Sequence, residues 1–596
     1  MKRKLTAWLL ILCMAIGLLP VTAAADTDAY IGKVSVLNGG NRYFTSLPDL
    51  VNYVKELSDR SFTIDMLADW NNARLCIPSK AWATLNMHGH IYNRGLTKAE
   101  SDGEVIWVGS DARLTINGGS TNDERNIEHA VGVYHDWRHE GKADVQKTFR
   151  GGVIAGGYST NGGGGIDVKS NCILTLNDVT IAGCRSEQSG GTDGYGGGIW
   201  VHGGMNEAGT VIMNYTTITG CYAYNSGGGL YQSNHNKFYM EMNQSHIDSN
   251  YCYSNGGGVY LGGASITLKG DRGSYISSNR TGGGKNQNGG GIYVNNDDVS
   301  VSGLIIADNL AYNGGGVFCD DKKITLSDCD IRDNYAFHCG GGVYICNNSD
   351  AINSCSIGGN ESRNEGGGVY VESDVEKGFA VTGSTQIAGN RSGNLYLENG
   401  ARANFALTKG AYVCLQYRDM PDTYQMVTEG ETGDTVKTTD CIRFLESDVS
   451  GYHFTFNSAP NQRKIYLVKN GYSDGTVGAS YTPLTPIVIS AEEATAEART
   501  PVADYTVEGE SGRAYDLYRG YYRYQSIEDP TANNTAVFYY SDGYFDASPA
   551  KYNEHLATMS TAMAQAGMYL QNMDYPYKHA AIMKAPAIAW QSPNRR

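Results

Sequence analysis

Eight aromatic side chains recur at one place in a glycine-flanked segment: Trp200, Tyr231, Tyr260, Tyr293, Phe318, Tyr344, Tyr370 and Tyr396. Their neighbours are mostly Val, Ile or Leu. Strand alternation sends those neighbours inward and the aromatic column outward. Two chemistries suit such a column. One is a ladder of rings that stiffens the sheet or lies under loops. The other is a stacking platform for an extended glycan, since exposed rows of aromatics are unusual on a protein surface.

Acid–base and metal chemistry have weaker carriers. Asp297-Asp298 and Asp320-Asp321 follow glycine-flanked strands and could pair as general acid and base or hold Ca2+. Acids at loop corners are ordinary solvated turns, and no repeat supplies a matching carboxylate-and-Arg cluster. The segment 120–150 carries His129, His135 and His139 beside Glu128, Asp136 and Glu140. The four-residue step from His135 to His139 would suit a metal on a helix, but no helix signal accompanies it. Gly471-Tyr-Ser473-Asp-Gly475 matches a nucleophile-elbow pattern, yet the following Thr-Val-Gly-Ala-Ser-Tyr-Thr-Pro cannot form the helix an elbow requires. The sequence nominates no catalytic residue, no metal ligand and no cofactor.

The elements that position the column are legible as a repeat. Glycine triplets begin at Gly163, Gly196, Gly227, Gly256, Gly289, Gly314, Gly340 and Gly366, at spacings of 25 to 33 residues. A second landmark precedes the later triplets: Ile247-Asp-Ser-Asn250, Ile276-Ser-Ser-Asn279, Ile306-Ala-Asp-Asn309, Ile331-Arg-Asp-Asn334, Ile357-Gly-Gly-Asn360 and Ile387-Ala-Gly-Asn390. Cys184 and Cys221 take the Asn place in two earlier repeats. With a third segment such as Lys323-Ile-Thr-Leu326 between them, three short strands per repeat describe one coil of a right-handed parallel β-helix. The Ile enters the core, the Asn bonds backbone or stacks in a ladder, and the Gly permits a positive-φ corner. Cys329 and Cys355, each two residues before the Ile, should stack on consecutive coils about 4.8 Å apart, within range of a disulfide, with stacked thiols the preferred reading over a bridge.

The alternation of Ile-x-x-Asn with Gly-Gly-Gly-Val/Ile resembles the repeats of polymorphic outer-membrane-type surface proteins and other pectate-lyase-like β-helices. That resemblance implies an all-β solenoid and a surface setting. It does not fix an activity, because this fold carries lyases, hydrolases, adhesins and inert stalks. Near the C-terminus, Tyr540-Ser-Asp-Gly-Tyr-Phe545 followed by Tyr552-Asn-Glu-His-Leu-Ala-Thr-Met-Ser560 resembles the opening of lipase-like α/β-hydrolase domains on secreted proteins of Gram-positive bacteria. The catalytic residues of that family lie further downstream, so none can be assigned here.

The ends and the composition complete the outline. Residues 1–25 read as a signal peptide: Lys2, Arg3 and Lys4, an apolar run from Trp8 to Leu19, and Ala23-Ala-Ala25 before the cleavage point. Residues 26–150 form the N-terminal cap and first coils, with an inserted loop at 120–150. An amphipathic helix over Thr45–Leu57 should close the end. Residues 151–400 carry the repeats, 401–470 the closing coils and cap, 471–510 a linker, and 511–596 a short incomplete α/β segment with a helix at 553–571. Gly is 76 of 596 residues, Pro only 13 and Tyr 42, which excludes both collagen and disorder. The net charge of −15 argues against nucleic acid, and no later apolar run is long enough for a transmembrane helix. The expected protein is a secreted or cell-surface β-helical stalk that binds or adheres, with a polysaccharide or cell-surface glycan as partner. A polysaccharide lyase or glycoside hydrolase on the β-helix, or a truncated secreted lipase or esterase, is the alternative.

Overall fold

The structure, a computed structural model, describes residues 30–119, 151–188, 194–202, 209–233, 237–282, 284–295, 298–320, 323–408, 410–428, 445–456, 464–470 and 472, and the backbone of short strands beyond them. The described chain is almost entirely β and forms a parallel β-solenoid of about 11 stacked coils. It falls into two compact units, residues 1–252 and 253–596.

Unit 1 opens with an antiparallel hairpin, Gly32–Val36 with Gly40–Phe44, and the helix α1 (Leu47–Lys55). The sequence places that helix well. Ser46 is extended before it, Pro48 occupies its first turn, and Leu47, Leu50, Val51 and Val54 are buried. Asp49 in the first turn and Lys55 in the last complement the helix dipole. A Cβ on Gly32 would lie 2.6 Å from Leu50 Cδ1, so glycine there lets the helix settle onto the first strand. The coils then begin. The first sheet stacks Ser61–Met66, Trp82–Asn86, Arg113–Asn117, Ile173–Asn177, Gly209–Asn214 and Phe238–Asn243 in parallel register. The glycine-flanked strands, among them Ile106–Val108, Ile166–Val168, Ile199–Val201 and Leu230–Gln232, form a second face.

Unit 2 repeats the plan at shorter spacing. One representative coil runs Val317–Cys319, Ile324–Ser327, Asp330–Arg332 and Tyr335–Ala336. That is four segments, where the sequence pattern indicates three. The additional two-residue strand pairs with Leu310–Ala311 and Glu361–Ser362 and is too short to show a period of its own. Ile276, Ile306 and Ile331 have no exposed surface, and burying each such side chain contributes about 1.5–3 kcal/mol. Tyr412–Tyr417 pairs with both Gln386–Ile387 and Leu395–Leu397, merging two faces. An antiparallel sheet of Tyr424–Thr428, Ile465–Lys469 and Tyr452–Phe456 follows.

The glycine triplet has three separate physical reasons. Gly314 sits at φ 58°, the left-handed corner. A Cβ on Gly315 would lie 2.4 Å from the Tyr335 carbonyl oxygen and 2.6 Å from that of Gly341. A Cβ on the third glycine, Gly316, would lie 2.9 Å from the carboxamide nitrogen of Asn334.

That carboxamide belongs to a ladder. Asn334 Nδ2 donates to Asn360 Oδ1 at 2.9 Å and to the Ile306 carbonyl at 2.9 Å, while its Oδ1 accepts from Asn309 N and Nδ2, both at 3.0 Å. Asn279, Asn309, Asn360 and Asn390 continue the pattern. It ends on Asn394, which donates its backbone N–H and its Nδ2 to Asp448 at 2.8 and 2.6 Å. Burial pushes the Asp448 carboxyl, and that of nearby Glu446, above the usual range. Among the described residues no cysteine is in a disulfide. Cys329 and Cys355 stack thiol against thiol on consecutive coils, and burial pushes the Cys355 thiol up.

Beyond residue 484 the backbone forms an antiparallel sheet of Thr485–Ile487, Pro501–Glu508, Ala514–Gln525 and Asn533–Ser541. Two of these strands fall in the stretch 471–510 that reads as linker. The expected helix at 553–571 and the α/β segment beyond 541 lie outside the described residues, as does the signal peptide. No described helix is long and apolar enough to cross a membrane.

Candidate functional site

The aromatic column stands where strand alternation places it, on the outside of the glycine-flanked strands. Flanking residues such as Ile292 and Val294 have no exposed surface. In unit 2 the rings are in register coil by coil: Tyr260 opposite Tyr293, then Phe318, Tyr344, Tyr370 and Tyr396. Successive centroids are 5.1, 5.4, 4.8, 4.9 and 5.7 Å apart with nearly parallel planes. In unit 1, Trp200 meets Tyr231 edge-on at 6.2 Å, and Tyr195 covers Tyr231 at 4.4 Å. From Tyr231 to Tyr396 each ring keeps only 4–9 % of its surface exposed. Outward does not mean open here, because each ring shields the next.

The phenol edges are bound as well. The residue two places after these column positions also points out, and Tyr260, Tyr293, Tyr344 and Tyr370 each meet that residue on the following coil. Tyr293 donates to Asp320 at 2.5 Å, Tyr370 to Glu398 at 2.6 Å, and Tyr344 to Glu372. Asn295 Nδ2 donates to the Tyr260 hydroxyl at 2.7 Å. Phe318 has no hydroxyl to offer, and Cys346 rather than a carboxylate occupies the next rung. Burial, and then the carboxylate partner, raise Tyr293, Tyr344 and Tyr370 far above the ordinary phenol range. These hydroxyls stay protonated at any physiological pH.

Unit 1 inverts this arrangement at one coil. Asp167 takes the column position between Trp107 and Trp200, and bases take the outer row. Asp167 Oδ2 lies 2.8 Å from Lys169 Nζ, and Oδ1 lies 2.9 Å from His202 Nε2. Lys169 Nζ and His202 Nε2 are 3.1 Å apart, so Nε2 cannot donate to the carboxylate and accept from the ammonium at once. The His202 ring stacks on Trp200 at 4.0 Å, and the buried Trp200 indole N–H has no acceptor among the described residues. One coil earlier Arg74 meets Glu104 at 2.5 Å. Burial pushes the Glu104 carboxyl up, against the pull of that guanidinium. The arrangement is a buried carboxylate that bridges the side chains of a lysine and a histidine, both of which stay partly open to solvent.

Sequence reasoning looks for a carboxylate-and-Arg cluster and does not single out this Asp–Lys–His trio. The signal is present once coils are aligned on their glycine triplets. Ile166-Asp-Val-Lys169 then lies over Ile199-Trp-Val-His202, showing an acid in an aromatic column and two bases side by side. A second missed feature is an outer amide ladder in unit 1, Asn86, Asn117, Asn177, Asn214 and Asn243, with contacts of 2.8–2.9 Å. Its signal is the Asn that ends each long strand. Asp65 starts it. Burial opposes the Asp65 charge, but bonds from Asn86, His88 and Lys33 hold the carboxyl below its usual range.

The other candidates separate. Asp320 serves Tyr293 as described. Asp298 is exposed at a left-handed turn and pairs with Lys323 at 3.0 Å, the ordinary turn role. Asp297, Asp321, the histidines and acids of 120–150, and Ser473 lie outside the described residues. Among the described residues no three His, Cys, Asp or Glu side chains are grouped to hold a metal. No family model, no curated protein and no solved structure matches this chain.

Proposed function

We propose that the chain is an exported binding stalk, carried to the outside by the signal peptide and presenting its solenoid to polysaccharide or cell-surface glycan. The right-handed, pectate-lyase-like form of β-helix is part of this reading. The observation that carries it is the pairing of two internal ladders in unit 2. Stacked rings cover one another on the outside, and carboxamides bond coil to coil beneath the glycine corners. Repeats that cover and bond one another in this way suit a stalk that holds a surface in place rather than a cleft built to open and close.

A second reading is favoured by one specific observation. The Asp167–Lys169–His202 group has the composition of an acid–base site, which keeps a polysaccharide lyase or hydrolase in view. An esterase would depend on residues beyond those described. One experiment separates binding from turnover. Purified residues 26–596 are incubated with a panel of neutral and uronic-acid polysaccharides. Retention in affinity gels and release of reducing ends or unsaturated uronate are measured in parallel. Retention without product supports the stalk. Product formation that disappears in both Asp167→Asn and His202→Ala overturns it in favour of the enzyme.

A further inference from the structure

With the column closed, an open surface of unit 1 is the outer face of its first sheet. The face is organised in three rows, each advancing one coil at a time. The outermost row contains Trp82, which is 57 % exposed, and Arg113, whose guanidinium lies 4.8 Å above the indole. Ser61, in register on the other side of Trp82, is too short to cover the second face of the ring. The middle row is threonine on four consecutive coils: Thr63, Thr84, Thr115 and Thr175. None of their hydroxyls bonds to a described side chain or backbone group. The third row is the amide ladder from Asn86 to Asn214. Each of these amides gives one Nδ2 hydrogen to its neighbour and keeps the other. From Thr84 to Asn214 the two inner rows contain no charge.

We propose that this face binds an extended, uncharged polysaccharide lying along the coil direction, with Trp82 as its aromatic anchor. This rests on the glycan-binding reading above and places the contact away from the aromatic column. Three features select that ligand. A half-open indole is the standard partner of a pyranose face, apolar on one side and hydrogen-bonding at the rim. Neutral hydroxyls and amides in a periodic row match neutral hydroxyls recurring at a similar step, about one strand spacing of 4.8 Å. The inner rows carry no charge, so beyond Arg113, which is already seated over the indole, a polyuronate or sulfated chain finds no recurring cation along this face.

The test is native affinity electrophoresis of residues 26–596 in gels containing hydroxyethyl cellulose, soluble mannan or, as the charged comparison, polygalacturonate. Three variants are run: Trp82→Ala, the double variant Thr84→Val with Thr115→Val, and Tyr344→Phe in the column. Because Trp82 and the threonines are at the surface, folding is checked by unchanged circular dichroism. The proposal expects retardation by a neutral polymer, weakened about tenfold by Trp82→Ala, weakened by the threonine pair, and unchanged by Tyr344→Phe. Retardation equal in wild type and in both face variants would overturn the location while leaving glycan binding intact. Retardation by polygalacturonate alone would overturn the ligand class. No retardation in any gel would overturn both this proposal and the reading it rests on.

Discussion

Replacing Asn334 with Ala or Asp gives different amounts of damage, and the order follows from the bonds. The Asn334 side chain accepts two hydrogen bonds from Asn309 and donates two, to Ile306 O and Asn360 Oδ1, all between 2.9 and 3.0 Å in a buried site. Asn334→Ala removes four bonds, and it leaves the Asn309 donors and the Ile306 carbonyl without these partners. At about 1 kcal/mol per bond the loss is about 4 kcal/mol. Asn334→Asp keeps the acceptor for Asn309 but sets a carboxylate oxygen against two other oxygens. At neutral pH it should therefore be worse than Ala. The sign with pH is fixed. Burial and two facing acceptors raise the folded carboxyl pKa above its unfolded value. Stability is then highest when the group is protonated and is lost as pH rises through the folded pKa. Urea melts followed by far-ultraviolet circular dichroism at pH 7 and about pH 5 would show Asp below Ala at the higher value and recovering at the lower. Asn334→Ala within about 0.5 kcal/mol of wild type, the range of surface substitutions, would refute the ladder argument.

Three further outcomes follow. Gly315→Ala drives a Cβ to 2.4 Å from the Tyr335 carbonyl, so it should cost more than the ~1 kcal/mol typical of point mutants, whereas Gly451→Ala, with nothing within 4 Å, should cost only its backbone strain; comparative melting temperatures check the order. Tyr344→Phe removes the bond to Glu372 and keeps the stack, for about 1 kcal/mol, while Tyr344→Ala loses the ring as well, for about 3–5 kcal/mol. At the closing coils, burial raises Asp448 and Glu446, so the protonated state favours the fold; the protection factors of the Tyr412–Tyr417 amides, which compare exchange with its intrinsic rate at each pH, should rise as pH falls from 7 towards about 5, and Asp448→Asn should flatten that rise.

The parts of this molecule legible in sequence are those that repeat in every coil. The Ile of Ile-x-x-Asn, the glycine corner and the outward aromatic each answer a local demand, so one repeat reveals all. The helix Leu47–Lys55 was legible for the same reason, its apolar stripe being complete within nine residues. What sequence did not show depends on neighbours above and below. Alternation gives the direction of Tyr293 but not whether Tyr260 and Phe318 will cover it. Asp167, Lys169 and His202 look unrelated until the coils are superposed, because 35 residues separate the first from the last. The fourth segment, Tyr335–Ala336, is too short for periodicity to register at all.

Hydroxyl-radical footprinting read by mass spectrometry, with and without a retained neutral polysaccharide, tests most directly the claim that the aromatic column is closed and the first-sheet face of unit 1 is open. Without polymer, Trp82 and Tyr215 should label rapidly, while Trp70, Tyr293, Tyr344 and Tyr370 label slowly. With polymer, Trp82 should become protected and Tyr215 should not change. Rapid labelling of Tyr293 and Tyr344 that the polysaccharide suppresses, with Trp82 unaffected, would contradict it.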